Sequence, residues 1–308
     1  MKTLLRPLLL LVMTFIGCET PEVISDFYTS KDSGRELLDQ FAPSEQIFNG
    51  ASRIIQSANG NTYEIQGAMR SLLTGDTIEG DITVKLTEYV DKKEMMLAGV
   101  QTLGTDWSDN YALESAGAFR ISFLVDGEAA IPWRISFFFP SQIQIEGMEL
   151  FYGSSSDSSF VWNPAPLFGG GMAASWLGFT SESELGGIGN QGYLGYIMVN
   201  DYLLDEEALY INIDHFFASG LPLTNILVRP VLNAPIDTGN IALSILFETE
   251  NAVLTGNWQP SLGGFQFLNV PIGFDVTCFG VGVNSNQEIV FGLLDFEIEE
   301  NGVYTFDM

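Results

Sequence analysis

The side chains best suited to hold a ligand are two tryptophans in a turn-rich region. Trp162 lies in FVWNPAP and Trp176 lies in AASWLGF. An exposed indole can stack on the face of a sugar or anchor a partner protein, although a tryptophan in a β-sandwich is more often part of the core. The sequence therefore indicates a candidate ligand platform at Trp162 and Trp176, with two core positions as the alternative.

Acidic and amide side chains are densest between residues 200 and 207. Carboxylate and amide oxygens are the ligands of calcium, which takes about six to eight of them. The segment lacks the spacing of an EF-hand loop, so the alternative is an exposed acidic loop. Calcium is the one cofactor that the sequence suggests, and its candidate ligands are Asp201, Asp205, Glu206 and Glu207.

Residue sets that would support catalysis are scarce. The sequence contains 1 histidine, His215, so a Ser-His-Asp triad would have to use it. Asp214 cannot orient that ring on a strand, because adjacent side chains point to opposite faces. We therefore expect His215 to be a hydrogen-bonded or solvated residue at a strand end, and we expect no enzymatic activity. A hydrolase that uses a pair of carboxylates is an alternative, because it needs only Asp and Glu.

The N-terminus has the features of an export signal. The basic residues Lys2 and Arg6 precede an apolar run of 10 residues, 7–16. A secretory signal has an apolar run of about 7–15 residues, whereas crossing a bilayer takes about 20. Gly17 and Cys18 follow the run. This arrangement resembles the lipobox of bacterial lipoproteins, which implies cleavage before Cys18 and attachment of a diacylglyceryl group to its thiol. The alternative is an ordinary signal peptide followed by a cysteine by chance.

The signal sets the expected organisation and location of the chain. Residues 1–17 are predicted to be a lipoprotein signal peptide, and residues 18–45, which are mostly polar, a flexible tether. More than one acyl chain is needed to hold a protein stably on a bilayer. We expect the protein to be anchored in the cell envelope through Cys18, at the outer membrane or cell surface rather than the inner membrane.

The charge of the chain excludes some classes of partner. Removal of Lys2 and Arg6 with the signal leaves 10 of the 12 basic residues against 39 acidic ones, so the net charge of the mature chain is 10 − 39 = −29. Nucleic acids are bound largely through Lys and Arg contacts to phosphate, so no nucleic acid partner is expected. Cations and basic partners are favoured instead. The alternative is that the acids only solvate the protein in salty water, where charges are strongly screened.

Patterns of period two indicate a fold made of strands. Apolar and polar residues alternate in ITVKLTEY, FRISFLV and WRISFFF, as in strands with one buried face. Capping-box spacing in DKKEMMLAG predicts a short helix over 91–99. We predict an all-β fold with two antiparallel β-sandwich-like domains, over residues 46–140 and 141–308. Cys278 lies in an apolar run and is expected to be an inert core thiol.

A family resemblance covers the first of these domains. From residue 54 the chain reads IIQSANGNTYEIQG, then GDITVKLTEY, then LESAGAF and a strand that ends at Pro140. This order resembles the zonula-occludens/netrin-receptor type of β-sandwich, which occurs in ankyrins and in surface lipoproteins of Gram-negative bacteria. The resemblance implies a sandwich over residues 46–140 that is used for protein interaction, and it carries no catalytic residue over to this chain.

Three functions follow from these features, in order of preference. The first is a lipid-anchored cell-envelope protein that acts as a non-catalytic interaction or scaffold module for another envelope protein. The second is a glycan-binding surface lipoprotein of a polysaccharide uptake system, which would use the tryptophan platform. The third is the carboxylate-based hydrolase.

The lipid anchor can be tested on the mature protein. In a bacterial host that acylates lipoproteins, we expect intact-mass spectrometry to find a chain that begins at Cys18 and carries acyl groups. Cys18→Ala should abolish the acylation and move the protein from the detergent phase to the aqueous phase. Cys278→Ala is the matched control and should leave the partition unchanged. An unmodified thiol at Cys18, or another start site, would contradict the prediction.

Overall fold

The structure is a computed structural model, and Cys18 with the predicted signal peptide lies outside the residues that it describes. It describes residues 38, 40–50, 52–106, 109–156, 159–166, 175–180, 190–205, 207–218, 220–232, 241–284, 286 and 288–308.

The described residues are mostly in strands, which confirms the all-β, sandwich-like class. They include one α-helix, α1 (Lys92–Ala98), and none of their helices is long and apolar enough to cross a membrane. The strands are β1 (Gln46–Asn49), β2 (Ile54–Gln56), β3 (Thr62–Ser71), β4 (Thr77–Ile78), β5 (Ile82–Tyr89), β6 (Leu103–Thr105), β7 (Asn110–Ala112), β8 (Glu114–Val125), β9 (Glu128–Pro140), β10 (Glu149–Ser156), β11 (Ser159–Pro164), β12 (Ser175–Thr180), β13 (Gly192–Met198), β14 (Leu204–Asp205), β15 (Ala208–His215), β16 (Leu223–Val231), β17 (Ile241–Phe247), β18 (Val253–Thr255), β19 (Asn257–Gln259), β20 (Gly264–Pro271), β21 (Asp275–Val283), β22 (Ile289–Glu297) and β23 (Val303–Asp307).

Strands β1 to β15 form one hydrogen-bonded sheet that folds into two layers. The long hairpin β8–β9 is paired only near its turn, and its two strands then diverge into different layers. Strand β9 pairs with β3 and β13, and β13 pairs with β12, so these strands form the first layer. Strand β8 pairs with β5 and β15, and β15 pairs with β10, so these strands form the second layer.

The inward faces of the two layers meet in an aromatic core. Tyr63 on β3 contacts Phe119 on β8 with ring centroids 5.0 Å apart, and Phe119 contacts Phe137 on β9 at 5.5 Å. All three side chains are buried. Edge-to-face pairs of this kind add to the large apolar area that each ring removes from water. The predicted alternation in β5, β8 and β9 thus identifies the faces that form this core.

A buried carboxylate links the two layers. Glu88 on β5 accepts hydrogen bonds from the Tyr63 hydroxyl at 2.6 Å and from the amides of Asn61 and Asn59 at 2.7 and 2.9 Å. The Gln46 amide donates to it at 3.3 Å. Burial, followed by the charge of Glu88, raises the pKa of Tyr63 well above its usual value. The turn between β2 and β3, which contains Asn59 and Asn61, is therefore fixed from the opposite layer.

The C-terminal strands form a second sandwich of two four-stranded sheets, ordered β19-β20-β16-β23 and β18-β17-β21-β22. Most neighbours are antiparallel, but β16 and β23 run parallel. Cys278 lies in the core between the sheets, where burial raises the pKa of its thiol to about 12. The predicted core position of Cys278 is confirmed, and a thiol reacts as its thiolate, which burial disfavours here.

The predicted boundary at Pro140 does not hold for the sheets. Strand β9 ends there, yet it pairs with β13, and β8 pairs with β15, so the first sandwich includes strands on both sides of residue 140. Sheet membership changes instead between His215 and Leu223. The reason is that β13 and β15 return to extend both layers, a long-range pairing that local sequence patterns do not report.

The end of the predicted tether is part of the folded body. Leu38 is 3% exposed and packs in a small apolar cluster with Val281, and the partly buried Phe41 adds to this cluster. These contacts lie on the outer face of the C-terminal sheet that contains β21. A flexible tether therefore cannot extend as far as residue 45, because burying Leu38 fixes the chain at that point.

Helix α1 lies between the two sandwiches and has the predicted caps. The Asp91 side chain accepts hydrogen bonds from the backbone amides of Lys93 and Glu94, and Gly99 ends the helix with a φ of 71°. On its buried side, Met95 and Met96 pack in a cluster that also contains residues of β18 and β11. Because this cluster draws on both sandwiches, the helix is the centre of the joint between them.

Lys92 fixes the polar side of the joint. Its Nζ donates to the carbonyl oxygens of Phe247, Glu248 and Glu250, the last two at 3.1 and 2.9 Å. Its backbone N–H donates to Asn251 Oδ1 at 2.6 Å. Burial lowers the pKa of Lys92, so the cation is held there against a desolvation cost. The ammonium group thereby ties the helix N-terminus to the turn that joins β17 to β18.

We predict that Lys92→Met destabilises the protein by about 1–3 kcal/mol, because it removes charge-assisted hydrogen bonds and leaves carbonyl groups without a donor. The variant keeps most of the aliphatic stem, so the packing against the turn is retained. Equilibrium unfolding in urea measures the effect, and the exposed neighbour Lys93→Met is the matched control. Equal stability of the two variants would show that the Lys92 contacts contribute nothing to the joint.

Candidate functional site

The outer face of the first layer carries the exposed tryptophan of the predicted platform. On β12, Leu177 and Phe179 pack against the core, and the alternation of a strand therefore turns Trp176 outward. The Trp176 side chain is 46% exposed. Strand β12 is the outermost strand of this layer in the described part of the chain. The structure therefore leaves this indole accessible to a ligand.

A ring on the next strand and a glycine hold the Trp176 indole in place. Tyr196 on β13 is the register partner of Trp176, and the two rings are stacked with centroids 6.3 Å apart and an interplanar angle of 25°. Gly178 lies beside the indole, and a Cβ at Gly178 would be 2.5 Å from the indole Cζ2. The indole can occupy this position because residue 178 has no side chain.

Polar side chains continue the row across the next strands. The Arg134 guanidinium on β9 lies 5.0 Å from the centroid of the Tyr196 ring. Arg134 Nε donates to Gln66 Oε1 on β3, and Gln66 Nε2 donates to Glu64 Oε2 on the same strand. Strand pairing brings these residues together, since Gln66 is the register partner of Arg134. We call this row the transverse stripe, and it consists of Trp176, Tyr196, Arg134, Gln66 and Glu64.

The transverse stripe combines two kinds of contact that a sugar uses. An accessible aromatic surface binds the apolar C–H face of a sugar ring, while guanidinium, amide and carboxylate groups exchange hydrogen bonds with hydroxyl groups. The stripe side chains already contact one another, so less side-chain freedom is lost when a ligand binds. A row of this composition can hold a ligand, and its one carboxylate belongs to Glu64.

Trp162, the other half of the predicted platform, is a core residue. It is 0% exposed, its Nε1 donates to the Gln101 carbonyl oxygen at 2.7 Å, and its ring meets Phe160 edge to face at 4.9 Å. Its cluster lies in the joint between the sandwiches. The prediction of an accessible indole at Trp162 is therefore wrong, because the ring is buried in a cluster with Met95 and Met96 of α1 and Val253 of β18.

The predicted calcium ligands are not brought together in the described part of the chain. Asp201 Oδ1 lies 2.6 Å from Arg70 Nη2 in an exposed ion pair. Asp205 ends β14, Glu207 lies in the turn before β15, and Glu206 lies outside the described residues. Among the residues that the structure describes, no group of three or more His, Cys, Asp or Glu side chains could hold a metal ion. Calcium binding stays a prediction.

A second polar cluster lies buried where β8 pairs with β15. Asp214 is 0% exposed, and its Oδ2 accepts a hydrogen bond from Asn212 Nδ2. The Oδ1 of Asn212 accepts a second hydrogen bond, from Ser115 Oγ, at 2.7 Å. Asp214 Oδ1 has no hydrogen-bond partner within the described residues. Burial raises the pKa of Asp214 well above its usual value. This carboxyl group therefore costs the folded protein stability whenever the unfolded chain can ionise it.

His215 ends β15, which confirms the predicted strand-end position. Its Nε2 lies 3.5 Å from Glu114 Oε2, and burial raises the pKa of Glu114. His215 and Asp214 are adjacent on one strand and face opposite sides, as the alternation rule required. Their neighbour Ser115 donates its hydroxyl to an amide oxygen and is buried, so these residues do not form a nucleophilic triad.

Sequence patterns had not linked the other members of the transverse stripe to Trp176. Tyr196, Arg134 and Gln66 each occupy the outward positions of an alternating strand, and this alternation is the only local signal that they carry. Trp133 shows the limit of that signal, since it shares the parity of the buried Ile135 and yet is 58% exposed. A register shift opposite it, with Gly67 at a φ of 81°, displaces it from the core face.

Comparisons with known proteins leave the chain without a family. No protein-family model matches it, and no curated protein matches it. One similar solved structure is the crystal structure of Gamma-CGTase from Alkalophilic bacillus clarkii, at 9% sequence identity and a TM-score of 0.21. The match covers 88% of this chain and 42% of that chain, and at this TM-score it carries no argument. The resemblance to the zonula-occludens/netrin-receptor sandwich stays a prediction.

We predict that Asp214→Asn stabilises the protein at pH 7. Because the pKa of Asp214 is raised in the folded state, the unfolded state binds fewer protons above about pH 3.9, and stability falls as the pH rises from there towards the folded pKa. An amide has no such loss. A gain of about 1 kcal/mol would raise the unfolding midpoint by about 2–4 °C.

Thermal unfolding at a series of pH values measures this effect. The difference between Asp214→Asn and the parent should shrink towards zero as the pH falls below about 3.9, where both states hold a protonated carboxyl group. The exposed Asp307→Asn removes the same charge and is the control. A parent that is as stable as Asp214→Asn across neutral pH would contradict the proposed cost of this buried acid.

Proposed function

We propose that this protein is a non-catalytic carbohydrate-binding protein and that the transverse stripe is its binding surface. The observation that carries the proposal is the Trp176 indole, accessible on the outer face of a sheet and supported by Tyr196 and Gly178. A large apolar ring that is fixed in an exposed position remains in contact with water until a ligand covers it. Covering it with the apolar face of a sugar is favourable for the same reason that core burial is.

The composition of the stripe supports binding rather than turnover. Glycoside hydrolysis normally uses a pair of carboxyl groups on either side of the scissile bond. The stripe supplies Glu64 alone, and Gln66 donates to that carboxylate. Asp214 and Glu114 lie close together elsewhere, but Asp214 is fully buried and cannot meet a polymer. The proposal is therefore that the protein captures a glycan and passes it on unchanged.

The lipid anchor that the sequence indicates would determine where in the cell the protein binds glycans. We propose that acylated Cys18 holds the body in the cell envelope, at the outer membrane or cell surface, where polysaccharides from outside are met first. The polar residues after Cys18 would span the distance from the membrane to Leu38, where the chain joins the folded body. The runner-up function from the sequence, a glycan-binding surface lipoprotein, thus becomes the preferred one.

A cleft in the first sandwich favours a second candidate, the interaction with another envelope protein. Within the described residues, β1 pairs only with β5, and β2 pairs only with β3, so β1 and β2 each have one unpaired edge. Residues of both strands line a cleft of about 360 Å³. Exposed Ile54 lines this cleft. An extended segment of a partner could add to either edge, with its side chains in the cleft.

Retention on a panel of insoluble and soluble polysaccharides tests the preferred function. We expect the parent to be retained by at least one glycan and Trp176→Ala to bind it at least about tenfold more weakly, which is a loss of about 1.4 kcal/mol. Gly178→Val should also weaken binding, because its side chain would displace the indole without removing it. Trp133→Ala removes an exposed indole outside the Trp176–Tyr196 stack and is the matched control.

The same variants separate the competing functions. Equal retention of Trp176→Ala and the parent would end the proposal for the stripe. Capture of an envelope protein that is lost in Ile54→Asp but kept in Trp176→Ala would favour the second candidate. Release of soluble sugar from the retained glycan by the purified parent would replace a binding function with a hydrolase.

A further inference from the structure

We infer that the transverse stripe binds an interior segment of a long, uncharged polysaccharide, with the sugar chain lying across the strands. This inference rests on the proposed function and names the class of ligand. Three observations carry it: the length of the stripe, its position on an open face, and the charges in and around it.

The length of the stripe requires several sugar units. Its side chains come from β12, β13, β9 and β3, which are adjacent in the layer. Neighbouring strands lie about 4.8 Å apart, so the row extends over about 14 Å. A pyranose ring is narrower than the 6.3 Å between the Trp176 and Tyr196 ring centroids. One sugar can therefore cover Trp176, but only further units of the same chain reach Gln66 and Glu64.

The position of the stripe favours the interior of a polymer over its end. The row lies on the outer face of a sheet and begins on the outermost strand, β12. The cleft between β1 and β2 and the recess at the joint are lined by other residues. A row of side chains on the outer face of a sheet contacts the faces of successive sugars and requires no contact with a terminal hydroxyl group. Chain ends therefore gain nothing over interior segments.

The charges select against ionised polymers. Arg134 and Glu64 are the two charged members of the stripe and cancel formally, so the stripe offers no uncompensated charge to an ionised sugar. The whole chain carries a net charge of −27, which repels uronate and sulfate groups. Hydrogen bonds to neutral hydroxyl groups are then the polar contacts that Arg134, Gln66 and Glu64 can make. An uncharged sugar chain fits these constraints.

A ladder of oligosaccharides tests the length. The probes are oligomers of two to eight units from whichever uncharged polysaccharide shows Trp176-dependent retention, titrated by calorimetry at 150 mM salt. We expect affinity to rise with length up to about four units, when the ligand spans the row of about 14 Å, and then to level off. Gln66→Ala should weaken binding of the tetramer by about threefold or more and leave the dimer unchanged, whereas Trp176→Ala should weaken both.

A carboxymethylated derivative of the same polysaccharide tests the charge. We expect it to bind at least about fivefold more weakly than the uncharged parent polymer, with the gap narrowing at high salt because the repulsion is screened. Capping the chain ends of the polymer by reduction should not change its affinity. Equal or tighter binding of the charged polymer, of a single sugar, or of chain ends alone would overturn this inference.

The two levels of the proposal fail differently. Trp176-dependent binding of an acidic glycan or of a monosaccharide would leave the carbohydrate-binding function standing and remove only the ligand class inferred here. Absence of Trp176-dependent binding to every glycan in the panel would remove both. If Gln66→Ala weakens binding of the disaccharide as strongly as binding of the tetrasaccharide, successive sugar units do not occupy successive positions along the stripe.

Discussion

The contact between the inward faces of β8 and β9 is the constraint on which the rest of the first sandwich depends. The two strands leave one hairpin for opposite layers, and Phe119 and Phe137 meet again across the core. Burying these rings fixes which face of each strand is inward. The opposite face of β9 must then present Arg134, and the strands that pair with β9 present their own outward side chains beside it. The transverse stripe is therefore a consequence of the way the core is packed.

The same hairpin also positions the joint between the sandwiches. The start of β8 carries Ser115, whose backbone N–H and carbonyl group both bond to Asn251 of the C-terminal sandwich, at 3.1 and 2.8 Å. Thr102 makes a similar reciprocal pair with Val253. Together with the carbonyl contacts of Lys92, these bonds give hydrogen-bond partners to backbone groups of the turn that joins β17 to β18. The joint thus combines an apolar cluster around Met95 with polar contacts from Lys92, Thr102 and Ser115.

Carbohydrate capture and the acidic composition of the chain are compatible on physical grounds. Uncharged sugars are bound through apolar ring faces and hydroxyl groups, neither of which responds strongly to the sign of the surrounding field. The many acids can therefore keep the protein soluble and separate from anionic surfaces without weakening such a site. The buried acid Asp214 differs from these surface acids, because its carboxyl group is buried where β8 pairs with β15 and contributes a stability cost that depends on pH.

The sequence alone determined the features that depend on neighbouring residues. Alternation identified β5, β8 and β9, capping chemistry identified helix α1, and an apolar context identified Cys278 as a core thiol. Tertiary structure decided which of two similar tryptophans is accessible, since Trp162 is buried in the cluster around α1 and Trp176 is 46% exposed on an outer face. It also decided that β13 and β15 complete the first sandwich and that Tyr196, Arg134 and Gln66 share one row. Period-two alternation tells which side chains share a face, but strand pairing and layer packing over long sequence distances decide which face is covered and which strands are neighbours.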